Sequence, residues 1–184
     1  MRFIPIVAAL SLCLLAAGAN VASESVLSAG SATCATASPS DCLEVKFHNL
    51  NRYKGNYWSR VFRDSEVAPA LKRLLKSDYS KLTVNMQRVV YPDSLSFVDG
   101  RGVLTLVGFV PQLFTISEAI LIVEPCGNIY AAVLENGERF LYFSNDKGYA
   151  AKLPPAVEKW RAGIEKARSD NYKKPELPVV FKSR

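Results

Sequence analysis

The chain has 184 residues, a formal net charge of +6, one histidine and four cysteines. That length holds one ordinary domain with a proper core and is too short for two. The ligand supply excludes the usual zinc site, which needs several Cys or His at close spacing, while the positive charge favours acidic partners.

The N-terminus reads as a secretory signal peptide over residues 1–23. Arg2 precedes an apolar run from Phe3 to Ala17, followed by small residues at Gly18, Ala19, Ala22 and Ser23. Cleavage after Ala19 or Ser23 satisfies the pattern equally. The apolar run falls short of the roughly 20 residues a spanning helix needs, so no stable membrane insertion is expected. Loss of Arg2 leaves a mature chain of net charge +5, periplasmic or secreted. Residues 24–42 are rich in Ser, Ala and Thr without an apolar period and read as a flexible leader. A single α+β domain is expected over 43–184, with a basic tail from about residue 170.

Within that domain, Leu43 to Phe62 carries Phe47, Tyr53, Tyr57, Trp58 and Phe62 among polar residues. Such a segment is either an aromatic binding surface or an irregular stretch packing its rings on the domain edge. A helix is predicted from about Val67, capped by Ser65, with Val67, Leu71, Leu74 and Leu75 on one face. A second short helix follows, capped by Asp78, with Tyr79, Leu82 and Met86 at helical spacing.

From Arg88 the period becomes that of strands: Val89–Tyr91, Leu95–Val98 and Val103–Phe109, each stopped by a turn signal. Ser117–Glu124 and Ile129–Glu135 form a hairpin around Pro125 to Asn128, and Asn136-Gly137 leads into a strand over Glu138–Ser144. Asn-Gly is a strong hairpin signal because both central residues of the tight turn need positive φ. The expected architecture is an antiparallel meander of about five to six strands flanked by helices. Pro154-Pro155 opens a last helix with Val157, Trp160, Ile164 and Ala167 on the face that covers the sheet. Leu177 to Phe181 offers one further edge strand.

Catalytic constellations are scarce. No Gly-x-Ser-x-Gly appears, no strand-to-helix phosphate loop, and no interleaved basic and aromatic motif for nucleic acid. A pair of Cys126 with His48, the only histidine, is the one nucleophilic option. Neither catalytic residues nor a metal or cofactor is therefore assigned. Cys34, Cys42 and Cys126 remain after export. Cys34 and Cys42 flank a short flexible loop and form the preferred bridge, leaving Cys126 free or paired between molecules. Pairing of Cys126 with either of the other two stays open.

The best candidate for recognition is the loop after the third strand, Val110, Pro111, Gln112, Leu113 and Phe114. Pro111 restrains it, Gly108 gives it room to turn, and such pre-ordering lowers the entropic cost of docking. Its apolar residues either face a partner or fold back into the core.

From about Leu71 to Trp160 the chain resembles the inhibitors of vertebrate lysozyme. The likeness lies in Leu71-Lys72-Arg73-Leu74-Leu75 followed by Tyr79, in Gly108 with Pro111, and in Ala119 to Val123 leading through Gly127 to Ile129-Tyr130-Ala131-Ala132. The resemblance implies an antiparallel sheet flanked by helices and a loop that plugs the active site of a peptidoglycan hydrolase. In that family the loop commonly holds a Pro-His pair between two cysteines; here Phe109, Pro111-Gln112 and Phe114 stand instead. Gln112 still donates and accepts hydrogen bonds but forms no charged pair with catalytic carboxylates. The expected function is an exported inhibitor of a peptidoglycan-degrading enzyme or an immunity protein against a wall-targeting toxin. Its alternative is a non-inhibitory structural or accessory envelope module. The expected partner is a protein, not nucleic acid, and a homodimer is compatible with this reading.

Overall fold

A computed structural model of the protein describes residues 44–48, 50–53, 58–86, 88–89, 97–98, 102–172 and 176–182. All belong to the unit Thr36–Arg184. The expected signal peptide, the expected leader and the expected bridge between Cys34 and Cys42 lie outside the described residues.

The fold is α+β. Helix α1 spans Val67–Leu75 and α2 spans Tyr79–Asn85. Strands β1 (Arg88–Val89), β2 (Phe97–Val98), β3 (Leu104–Phe109), β4 (Glu118–Val123), β5 (Ile129–Glu135) and β6 (Arg139–Ser144) follow. Helix α3 (Pro155–Tyr172) then leads to β7 (Val179–Phe181). The sheet runs β1-β3-β4-β5-β6-β7, with β2 also paired to β3. Every pair through β6 is antiparallel, but β7 joins β6 in parallel, Leu141 opposite Val180. The sheet is therefore mixed, not the wholly antiparallel meander the turn signals suggest. The direction of β7 is set by α3, which carries the chain back along the sheet before the last strand begins.

Strand alternation divides the core into two faces. Leu104, Leu106, Leu121, Val123, Ala131, Val133, Leu141 and Phe143 pack with Leu71, Leu75, Leu82 and Met86 of the first two helices. Ile120, Ile122, Tyr130, Ala132 and Tyr142 pack on the other side with Leu153, Val157 and Trp160. Phe140 meets Trp160 edge to face at 5.5 Å, and Ile164 joins the same cluster. Burial on both faces explains why β4 and β5 read as continuous apolar runs. The Asn136-Gly137 turn has φ of 52° and 65°, as its dipeptide demands.

Two capping expectations are corrected. Asp64, not Ser65, caps α1: its Oδ1 accepts from the Glu66 and Val67 amides at 2.7 and 2.8 Å. The Asp78 side chain makes no cap bond and instead receives Lys81 Nζ at 2.8 Å. The aromatic N-terminal segment packs inward. Phe47 is buried ahead of two short 3-10 helices, Leu50–Tyr53 and Trp58–Arg63, in which Tyr53 is buried and Phe62 partly so. The rings of Tyr57 and Trp58 lie outside the described side chains.

Cys126 is disulfide-bonded, which overturns its reading as a free thiol; its partner lies outside the described residues. The turn that carries it is clamped from two sides. The Lys46 and Phe47 amides both donate to the Pro125 carbonyl, at 2.8 and 3.1 Å, and Asn145 Nδ2 donates to the Gly127 carbonyl at 2.8 Å. Peptide mapping without reduction is expected to recover Cys126 in a linked peptide. An alkylated free Cys126 would contradict the bond. No described helix is long and apolar enough to cross a membrane.

Candidate functional site

The chain between β3 and β4 builds the candidate site from two consecutive tight turns. In the first, the Leu113 amide donates to the Val110 carbonyl at 3.0 Å, with Pro111 second and Gln112 third at φ 66°. Proline followed by positive φ is the pattern of a type II turn, which prefers glycine at the third position. In the second, the Ile116 amide donates to the Leu113 carbonyl at 3.0 Å, with Thr115 third at φ 63°. The Val110 amide closes the base of the loop on the Ser117 carbonyl at 3.0 Å.

Two non-glycine residues in left-handed conformations cost of order 1 to 3 kcal/mol each. A β-branched residue such as threonine is especially unusual there. The surroundings hold Thr115 in place: it is buried, its amide donates to Glu118 Oε1 at 2.7 Å, and its carbonyl accepts from Arg168 of α3 at 2.8 Å. The Gly137 amide adds a bond to the Ile116 carbonyl at 2.7 Å. Gly137 cannot be replaced cheaply, because a Cβ there would stand 2.9 Å from the Arg168 guanidinium in a backbone already at positive φ.

The rigid frame leaves an apolar crest in solvent. Phe114 is 53% exposed, Leu113 and Ile116 are each 40% exposed, and Gln112 is exposed beside them. Phe114 leans edge to face on Phe109 at 6.0 Å. Of the five loop residues anticipated from sequence, Gln112, Leu113 and Phe114 face outward, whereas Val110 and Pro111 are half-buried and shape the turn. The alternative in which Leu113 and Phe114 fold into the core is not what forms. Gly108 is not the hinge: it pairs with Ala119 within β3, and the bends fall at Gln112 and Thr115. Ile116, Glu118 and Arg168 belong to the site as well and escaped the sequence reading.

Glu118 is a carboxyl buried under the loop, and burial pushes its pKa up although the Thr115 amide opposes this. Below the ordinary glutamate range, folded and unfolded chains both hold the proton. As pH rises, the unfolded chain releases it first, so Glu118 subtracts stability until the raised folded value is passed. Glu118→Gln keeps an acceptor for Thr115 and removes this dependence. Its melting temperature relative to wild type is expected to climb as pH rises through and above the ordinary glutamate range. A difference that stays flat with pH would contradict the assignment.

The remaining sequence candidates are not brought together. His48 is exposed and bonds Glu66 through both its amide and its ring, at 2.9 and 3.1 Å, and Cys126 is held in its disulfide. The two do not form a nucleophile and base. Among the described residues no group of three or more His, Cys, Asp or Glu is placed to hold a metal. Comparison with known proteins finds no matching family model, no matching curated protein and no matching solved structure.

Proposed function

We propose that the protein is an exported, non-enzymatic binding module whose β3–β4 loop enters the cleft of a peptidoglycan-degrading enzyme and blocks it. The observation that carries this reading is the exposure of Leu113, Phe114 and Ile116 on a loop locked in two strained turns. Exposed apolar side chains on a rigid projection pay little conformational entropy on docking, so their burial is available as affinity. Gln112 stands beside them as the polar group that meets catalytic carboxylates by neutral hydrogen bonds. The likeness to inhibitors of vertebrate lysozyme belongs to the same reading, with the target shifted. A basic inhibitor is steered toward acidic or neutral enzymes and repelled by a strongly basic lysozyme.

Clearing of a peptidoglycan suspension by acidic, neutral and basic muralytic enzymes, with and without the mature protein, tests it. Inhibition of an acidic or neutral enzyme is the expected result, with weak effect on the basic one. Undiminished clearing by the whole panel at micromolar protein would sink the proposal.

A further inference from the structure

The outer edge of β7 is open. The sheet ends on this strand, and among the described residues no strand pairs with its far side. The Phe140 amide donates to the Pro178 carbonyl at 2.9 Å and the Lys182 amide to the Tyr142 carbonyl at 2.7 Å, so residues 178, 180 and 182 turn their backbone toward β6. Alternation then points the N–H and C=O groups of Val179 and Phe181 away from the sheet. Proline and lysine commonly shield an exposed edge. Here Pro178 and Lys182 spend their backbone bonds on β6 and leave the two outward residues unguarded.

The same alternation sorts the side chains. Val180 packs against the core under α1 and α2, whereas Val179 packs on the α3 side and Phe181 lies edge to face on Tyr142 at 5.6 Å. Phe181 is nonetheless 39% exposed. Beside it lies a cavity of about 470 Å³ whose wall includes Leu153, Leu177, Pro178, Val179 and Phe181. An apolar ring standing partly in water thus borders an apolar hollow on one and the same edge.

We infer that β7 pairs antiparallel with β7 of a second copy of this chain, about a two-fold axis at Val180. A two-fold contact sets one patch against itself, so the patch must be self-complementary. With Val180 opposite Val180, Val179 of each copy faces Phe181 of the other, and each such pair exchanges both of its N–H···O=C bonds. This register lays Phe181 over the second copy's Val179, with Leu177 and Phe181 of that copy as its diagonal neighbours. Those three residues wall the cavity, so the ring of each copy fills the hollow of the other. On the opposite face Lys182 comes diagonally across from the second copy's Glu176, within reach of long side chains. Both are exposed, and their charges are opposite. A strand of unrelated sequence would supply the backbone bonds but not this ring and this charge. The contact uses β7 alone and stands whether or not the β3–β4 loop blocks an enzyme.

Sedimentation equilibrium of the purified protein tests the pairing. Between about 1 and about 100 µM a monomer is expected to pass into a dimer, the affinity range of a small interface. Val179→Pro removes an outward N–H and no bond to β6, and is expected to weaken the dimer at least about tenfold with its melt unchanged. Should that variant lose its cooperative melt, Phe181→Ser carries the comparison. Lys182→Glu sets two carboxylates across the contact and is expected to weaken it at least about threefold, and adding Glu176→Lys restores it. Val180→Cys is expected to run as a disulfide-linked dimer on a non-reducing gel, because opposed residues of a non-hydrogen-bonded pair stand about 4.5 Å apart at Cα. A monomer at every concentration, or a dimer indifferent to Val179→Pro and to the charge exchange, overturns the pairing.

Discussion

Asp64→Ala is expected to destabilise the protein by about 2 to 4 kcal/mol, the combined scale of a lost helix cap and a buried hydroxyl left without its acceptor. The carboxylate joins the short helix Leu50–Tyr53 to the start of α1: it receives Arg52 and Tyr53 with one oxygen and caps α1 with the other. Alanine leaves the buried Tyr53 hydroxyl and two helix amides without acceptors, and the cap alone accounts for about 1 kcal/mol. Asp64→Asn, which keeps one carbonyl oxygen, should lose less. Burial alone would raise the Asp64 pKa, but the Tyr53 hydroxyl, the Val67 and Glu66 amides and Arg52 bring it below the ordinary value. Lys81 and Arg139 depress Glu135 in the same way. Both groups contribute stability above the unfolded carboxylate range, and it drains away as pH falls through their lower folded values. Urea denaturation at neutral and acid pH measures both effects. An alanine variant within about 1 kcal/mol of wild type would show that the hub is dispensable.

Leu113→Ala combined with Phe114→Ala is expected to weaken binding to the target enzyme by about a hundredfold or more, with the melting temperature nearly unchanged. Truncating a central apolar anchor costs about 2 kcal/mol or more of binding energy, and two such losses exceed that factor even when not fully additive. Stability is spared because both side chains are substantially exposed and the turn bonds run through backbone atoms. Phe114 gives up an edge contact with Phe109. Calorimetric titration of wild type and variant against an inhibited enzyme reads the difference. Unchanged affinity in a folded variant would move recognition to another surface.

The antiparallel pairing of β3 through β6 was legible because its signals are local. Asn136-Gly137 demands positive φ at two adjacent positions and receives it, and the runs Ala119–Val123 and Ile129–Leu134 are apolar enough for only a buried sheet. The parallel entry of β7 was not legible, since strand direction depends on the path of α3 and not on Val179 to Phe181 themselves. Ser65 and Asp64 are adjacent and both suit a helix cap, so a one-residue difference in where α1 begins decides between them. The loop was found from Pro111 and its apolar neighbours, yet composition could not say whether Leu113 and Phe114 turn in or out. Arg168 offered no signal at all. An arginine near the end of a helix normally stays in solvent, and only the tertiary approach of Thr115 and Gly137 buries this one.

That bond between Arg168 and Thr115 spans 53 residues, which bears on when the protein becomes competent. Strands β3 to β6 pair with their sequence neighbours and can zip together early, because short closures cost little chain entropy. The left-handed Thr115 has the Glu118 carboxyl as a local partner, but its carbonyl gains its Arg168 donor only after α3 has docked. A nascent chain still lacking its C-terminal segment is therefore expected to hold a formed hairpin and a slack crest, so that recognition switches on with the last step of assembly.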